Sequence, residues 1–272
     1  MIKKLLFLFI FAPLSTFCQE MESDLFLHLN NSTLHLFKSS EKSKMVVLTF
    51  RNSKEHGTVQ ETKTTYRKGK ISPEKINFTT AYSEYYLLEN RKKSLGRYIF
   101  NEKNQIRRYE RTDFDNRNQR TYGYYHNYRY IDNVLQWEFI RTREYVSQGS
   151  VEQDSIIYLD SVVYNLKKLD DGIKQINLTD EGAYSKYVIK DKRLASKSNF
   201  FPGFNENVSF SYNSKGQLVG LTNELTNDEA KKEGKSIITS TEITYNMEGL
   251  VTEVYFYDSK GEILERKVYS YK

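Results

Sequence analysis

Short runs in which apolar and polar residues alternate recur along most of the chain, with turn residues between them. Met45–Phe50 is an apolar run, and Thr58–Tyr66 is rich in Thr, Val and Tyr. Tyr82–Leu88, Tyr98–Phe100, Ile156–Tyr158, Val162–Leu166 and Tyr184–Ile189 follow. A period of two with β-branched and aromatic residues predicts strands. Near the start, Leu25, Leu27 and Leu29 alternate, Asn30-Asn31-Ser32 interrupts, and Leu34 and Leu36 resume. That spacing predicts a hairpin, with a short helix capped by Ser23 as the other reading. Strand after strand joined locally predicts an all-β fold: an antiparallel meander of twisted hairpins, with the sheet open or curled and few short helices.

The turns carry the clearest signal. Tyr212-Asn213-Ser-Lys-Gly216-Gln-Leu218, Tyr245-Asn246-Met-Glu-Gly249-Leu-Val251 and Tyr257-Asp258-Ser-Lys-Gly261-Glu-Ile263 are copies of one pattern. Asn213, Asn246 and Asp258 start the turn by accepting a hydrogen bond from the backbone just ahead. Gly216, Gly249 and Gly261 supply the positive φ that closes a type I turn with a bulge. Phe100-Asn-Glu-Lys-Asn104-Gln-Ile106 is a degenerate copy with Asn where Gly stands elsewhere. The copies resemble YD-type repeats, the hairpin units of RHS-like exported bacterial proteins, over residues 208–272. The resemblance implies a hairpin-built sheet and brings no catalytic residues. Its long arrays enclose cargo, and this chain has too few copies for that.

Composition sets the address. Lys3-Lys4, the apolar run Leu5–Phe11, Pro13 and a cut after Cys18 read as a secretory signal over residues 1–18. The run is too short to span a bilayer, and no later segment is longer. Phe17 is too bulky for lipid attachment at Cys18. Cys18 is the only cysteine, so the mature chain has no disulfide and no thiol chemistry. The rest divides into a β-rich domain over 19–200 and hairpin repeats over 201–272, unless one sheet runs through both. The formal charge of +6 is scattered and includes no basic tail, which argues against nucleic acid.

Candidate chemistry is sparse. His28, His35, His56 and His126 have no metal-site spacing. Asp113 and Asp115 share a strand face, as a carboxylate pair would, but Arg117 spoils a calcium loop. No nucleophile elbow, phosphate loop or dinucleotide fingerprint is present, and no cofactor is implied. The densest surface candidate is a basic-aromatic segment: Arg108, Arg111, Arg120, Tyr122, Tyr124, Tyr125, Tyr128 and Trp137. Aromatic faces between guanidinium groups stack on sugars and pair with anions. The leading expectation is a non-enzymatic exported module binding an envelope glycan or protein partner. The alternatives are a curled sheet carrying an apolar ligand such as a lipid, and a hydrolase of envelope polymers.

Overall fold

The computed structural model describes residues 33–53, 57–69, 74–82, 91–103, 105–115, 120–131, 134–148, 151–177, 183–191, 193–201, 204–225 and 239–272. A short helix, α1, covers residues 33–39. The strands are β1 (Lys44–Ser53), β2 (Gly57–Lys68), β3 (Lys75–Tyr82), β4 (Arg91–Phe100), β5 (Ile106–Asp115) and β6 (Arg120–Ile131). Then come β7 (Val134–Gln148), β8 (Val151–Leu169), β9 (Gly172–Asn177), β10 (Tyr184–Lys190) and β11 (Arg193–Phe201). β12 (Phe204–Tyr212), β13 (Leu218–Leu225), β14 (Ser240–Tyr245), β15 (Val251–Tyr257) and β16 (Ile263–Tyr271) complete the set.

Each strand pairs antiparallel with the next, as a meander requires. The meander then closes: β1 pairs with β16 from Met45↔Tyr271 to Arg51↔Glu265, making a barrel of 16 strands. This corrects the expectation of an open or curled sheet. Closure joins strands more than 200 residues apart, so no local turn signal announces it. Strands β11 and β12 pair up to Phe201↔Phe204. Three consecutive cations, Arg91–Lys93, begin β4.

Alternation sorts the side chains by face. Met45 and Val47 of β1, Ile76 and Phe78 of β3, Val208 of β12 and Val254 and Phe256 of β15 point inward and are buried. The outer face carries ion-paired rows: Arg97 with Glu110, Arg108 with Glu110 at 3.6 Å, Arg143 with Asp154, and Arg266 with Glu253. A strand barrel that crosses a bilayer turns an apolar band outward; these rows are built for water. No helix among the described residues is long and apolar enough to cross a membrane.

α1 occupies the end of the barrel where β1 begins. Leu34 and Phe37, one helical turn apart, are buried and join a core drawn from both sides of the barrel. Phe37 contacts the Tyr271 ring at 6.3 Å, and Lys68 Nζ lies 5.2 Å from the Phe37 ring centre. The helix therefore replaces the hairpin expected for Leu34 and Leu36. Packing inside the closed barrel selects the helical period over the local alternation.

The repeated turns form as the residues dictate. Gly216, Gly249 and Gly261 have φ of +80°, +77° and +79°. Each of their N–H groups donates to the carbonyl of Asn213, Asn246 or Asp258, and each turn adjoins a bulge in its hairpin. Asp258 Oδ1 accepts from Lys260 N at 2.8 Å, two residues on. Asn213 and Asn246 accept from Gln217 N and Leu250 N, four residues on, each at 2.9 Å, as Asp258 also does from Glu262 N. Asn101 repeats that geometry with Gln105 N at 2.9 Å, so the degenerate copy builds the same turn; Asn104 itself lies outside the described residues. A device that the sequence did not announce accompanies three hairpins. Tyr212, Tyr245 and Tyr271 each donate a phenolic hydrogen to a carbonyl on the preceding strand, at Leu194, Leu218 and Val251.

Candidate functional site

The interior is graded along the barrel axis. On the β2–β6 side it is apolar and aromatic near α1. Tyr66 and Phe78 are 6.0 Å apart, Phe78 and Tyr98 5.3 Å, and Tyr98 and Tyr109 5.1 Å. The ladder continues through His126, Tyr128 and Tyr130 at 5.6, 6.1 and 6.4 Å. Tilted and offset rings at these separations attract one another and leave an aromatic wall from β2 to β6. Burial pushes the Tyr109 phenol up to about 12 against the opposing pull of Arg111, and it lifts Tyr98 further.

Toward the other end the same inner face turns polar. On β4 and β5, Ser94 stands opposite Asp113 and Gly96 opposite Arg111. The Gly96 site has no room for a side chain, because an added Cβ would sit 2.3 Å from the Phe78 ring. Arg111 Nε and Ser94 Oγ both donate to Asp113 Oδ1 at 2.6 Å, and Asp113 is fully buried. Arg111 Nη2 donates to Tyr82 Oη at 2.8 Å, and its guanidinium carbon lies 5.8 Å from the Tyr124 ring centre. Burial alone would lower the Arg111 pKa, but Tyr109, Asp113 and Tyr82 outweigh it and hold the guanidinium charged. The Arg111 side chain is still 28% exposed, on the strand face that alternation turns inward. Beside it, His126 Nδ1 lies 3.0 Å from Glu138 Oε1.

Two further polar groups complete the inner surface. Glu206 accepts from Asn199 Nδ2 at 2.6 Å and Asn223 Nδ2 at 2.7 Å, with Ser185 Oγ donating to Asn199. On β16, Glu265 lies 3.3 Å from Arg51 and 3.4 Å from Lys267. A cavity of about 180 Å³ opens there between Thr33 and Leu34 of α1 and Thr49, Thr62, Thr64, Tyr66, Lys267 and Tyr269 of the wall. Burial raises the Glu61 carboxyl nearby, with Arg51 opposing.

The basic-aromatic segment is therefore divided between two faces. Arg111, Tyr122, Tyr124 and Tyr128 point inward: Tyr124 pairs with Arg111 and Thr142, Tyr122 with Asp113 and Glu144, and Tyr128 with Glu138. Arg108, Tyr125 and Trp137 point outward, where Arg108 Nε donates to Asn127 Oδ1 at 2.8 Å. Arg141 stacks on Tyr125 at 4.7 Å and Arg129 on Trp137 at 5.9 Å. Arg120 begins β6, and its side chain lies outside the described residues, as does that of Asp115. Dense sequence spacing did not make one surface, because strand alternation sends neighbours to opposite sides. Reading missed Tyr82, Ser94, His126 and Glu138 as members of the inner group. The parity of β5 and β6, counted from Asp113, is the signal that would have found His126.

His35 sits on α1 with Nδ1 buried, and burial lowers its pKa. His28 and His56 lie outside the described residues. Among the described residues no three His, Cys, Asp or Glu side chains come together as a metal-holding group.

No family model matches the chain, and no curated protein does. Among solved structures, a DUF1329 family protein from Desulfovibrio piger is 8% identical, with 88% of this chain and 89% of that chain covered. Its TM-score is 0.26, a likeness too remote to carry fold or function across.

Proposed function

We propose that the protein is a non-enzymatic ligand-holding barrel that takes an amphipathic molecule, such as a lipid, into its interior. The apolar part of the ligand lies against the aromatic wall near α1. Its polar head meets Arg111, Tyr82, Tyr124 and the His126–Glu138 pair. The observation that carries this reading is the grading of one inner face, aromatic at the α1 end and polar at the other, with a buried charge still reachable from inside. Pockets that hold small molecules have this make-up: apolar walls with a few convergent polar groups. Asp113 is engaged by Arg111 and Ser94, so it positions the guanidinium rather than acting as an acid. The export signal read in residues 1–18 supports a carrier that works outside the cytoplasm.

A second reading rests on the outer ladder. Arg129 on Trp137, Arg141 on Tyr125 and Arg143 on Tyr145 at 5.6 Å form a stacked strip suited to an envelope glycan or a protein partner.

Tyr124 and Tyr125 are sequence neighbours on opposite faces, so they separate the two readings. Dodecyl-chain probes with phosphate, carboxylate or glucoside heads are titrated by calorimetry into the wild type, Tyr124→Ala and Tyr125→Ala. The interior reading expects affinity to fall about tenfold in Tyr124→Ala alone. Loss in Tyr125→Ala alone transfers the site to the outer strip. No binding of any probe by the wild type rejects the carrier.

A further inference from the structure

β7 and β8 are longer than their neighbours, with 15 and 19 residues against 6 in β9. β8 pairs with β7 along Val151–Val163 and with β9 only along Tyr164–Leu169. Among the described residues, Val151–Val163 thus has a ladder partner on one side only. Its middle is apolar and open on both faces: Ile156 and Leu159 are 54% and 59% exposed on one face, and Tyr158 is 49% exposed on the other. Exposed strand edges of this kind are templates for pairing with another strand, and proteins ordinarily blunt them with Lys or Pro. This segment, Asp154-Ser-Ile-Ile-Tyr-Leu-Asp-Ser161, has neither.

The segment is complementary to itself. In an antiparallel pairing about a twofold axis between Ile157 and Tyr158, Ile156 meets Leu159 of a second copy, and Ile157 meets Tyr158. Asp154 then meets Ser161, and Ser155 meets Asp160. Each acid faces a hydroxyl donor, and no acid faces an acid. Facing residues must also point to the same side of the joint sheet. In a regular strand, residues 156 and 159 point to opposite sides. Here the register shift opposite Thr142 and Arg143 leaves Ile157 as an extra residue. Ile156 and Leu159, opposite Arg143 and Arg141, are thereby both on the outer face. Ser155 and Asp160, opposite Glu144 and Ile140, are both on the inner face. The bulge is what makes the edge self-complementary.

Existing contacts leave these groups available. Asp154 Oδ2 is paired with Arg143, which neutralises it before it approaches the second copy. Ser161 Oγ accepts from Trp137 Nε1 at 2.9 Å, so its own hydrogen is free to be donated. Asp160 accepts from Tyr158 Oη and Ser161 N, with lone pairs to spare for Ser155.

From this we infer that two copies of the chain associate edge to edge through β8, joining their β7–β8 ribbons across a twofold axis. A contact made by one pair of strands is at the small end of specific interfaces, so it gives a concentration-dependent equilibrium rather than a permanent dimer. The inference does not depend on what the interior holds.

Sedimentation velocity from low micromolar to several hundred micromolar protein tests it, with the wild type beside Leu159→Lys. The expected result is a dimer in the wild type and a dissociation constant at least about tenfold higher in the variant, with unchanged circular dichroism and melting. Register is tested in a Cys18→Ser background. Ile156→Cys with Leu159→Cys forms a covalent dimer on mild oxidation, whereas Ile156→Cys alone does not. A wild type that stays monomeric throughout, a dimer indifferent to Leu159→Lys, or cross-linking equal in the single and double cysteine variants overturns the inference.

Discussion

Replacing Asp113 with Ala removes the carboxylate that Arg111 Nε contacts at 2.6 Å, and it leaves the Ser94 hydroxyl only the Tyr82 hydroxyl at 3.2 Å among the described residues. Breaking a buried ion pair from one side costs roughly 3–5 kcal/mol, because the remaining charge stays desolvated. Arg111 is 28% exposed within the barrel, and solvent that reaches it screens the loss, so about 2–3 kcal/mol is the expected value. In a domain of this size that lowers Tm by about 5–10 °C. Arg111→Met alone leaves Asp113, fully buried, without its cation and costs a similar amount. The double variant removes both charges and recovers much of the loss, because well-packed apolar replacements of a buried pair are near neutral. Urea unfolding of the wild type, both single variants and the double variant closes the cycle, with an expected coupling of about 3 kcal/mol, the summed single losses less the small residual loss of the double variant. Single losses that add in the double variant, or single variants within about 0.5 kcal/mol of the wild type, refute the assignment of Arg111 and Asp113 as a paired unit.

Other consequences are as direct. Phe37 is fully buried, so Phe37→Ala costs about 3–5 kcal/mol in urea unfolding if α1 is part of the core; an unchanged midpoint would detach the helix from the barrel. Gly261 has φ +79° and open space around it, so Gly261→Ala measures backbone strain alone, about 1–2 kcal/mol. Gly249→Ala adds a contact at 2.9 Å with the Gln217 side chain and loses more; equal losses at the two sites would dismiss that contact. Partly buried Tyr109 and Tyr245 have pKa values raised to about 12 by desolvation, above their unfolded value. Their protonated form is therefore favoured by folding. That stability is complete below about pH 10 and is lost as pH rises toward 12. Tyrosinate absorbance in these groups should appear together with loss of near-ultraviolet dichroism, and smooth titration without unfolding would contradict their burial. Trp137, the chain's one tryptophan, faces outward, so its emission should be unmoved by an interior ligand and quenched by one on the outer strip.

Local physics made much of the architecture legible. Alternation marked the strands, and Asn213, Gly216, Asn246, Gly249, Asp258 and Gly261 marked turns whose geometry the residue types enforce. What could not be read was anything that depends on distant partners. The β1–β16 pairing closes the barrel, and nothing near Met45 or Tyr271 signals it. Closure in turn gives α1 an interior to occupy, and so overrides the alternation of Leu34 and Leu36. The candidate site was half visible for the same reason. Arg111, Tyr122, Tyr124 and Tyr128 were picked out by density, along with Arg108, Tyr125 and Trp137, which alternation sends to the other face. Tyr82 and Ser94 reach Arg111 and Asp113 only because β3, β4 and β5 are in register.

The barrel interior as a ligand site is tested most directly by native mass spectrometry of the protein isolated without detergent, comparing the wild type with Tyr124→Ala and Tyr125→Ala. The expected spectrum shows a stoichiometric small organic adduct on the wild type and on Tyr125→Ala, depleted on Tyr124→Ala. A wild type that flies at its bare mass and gains none when offered the dodecyl probes, or an adduct lost from Tyr125→Ala but kept by Tyr124→Ala, contradicts it.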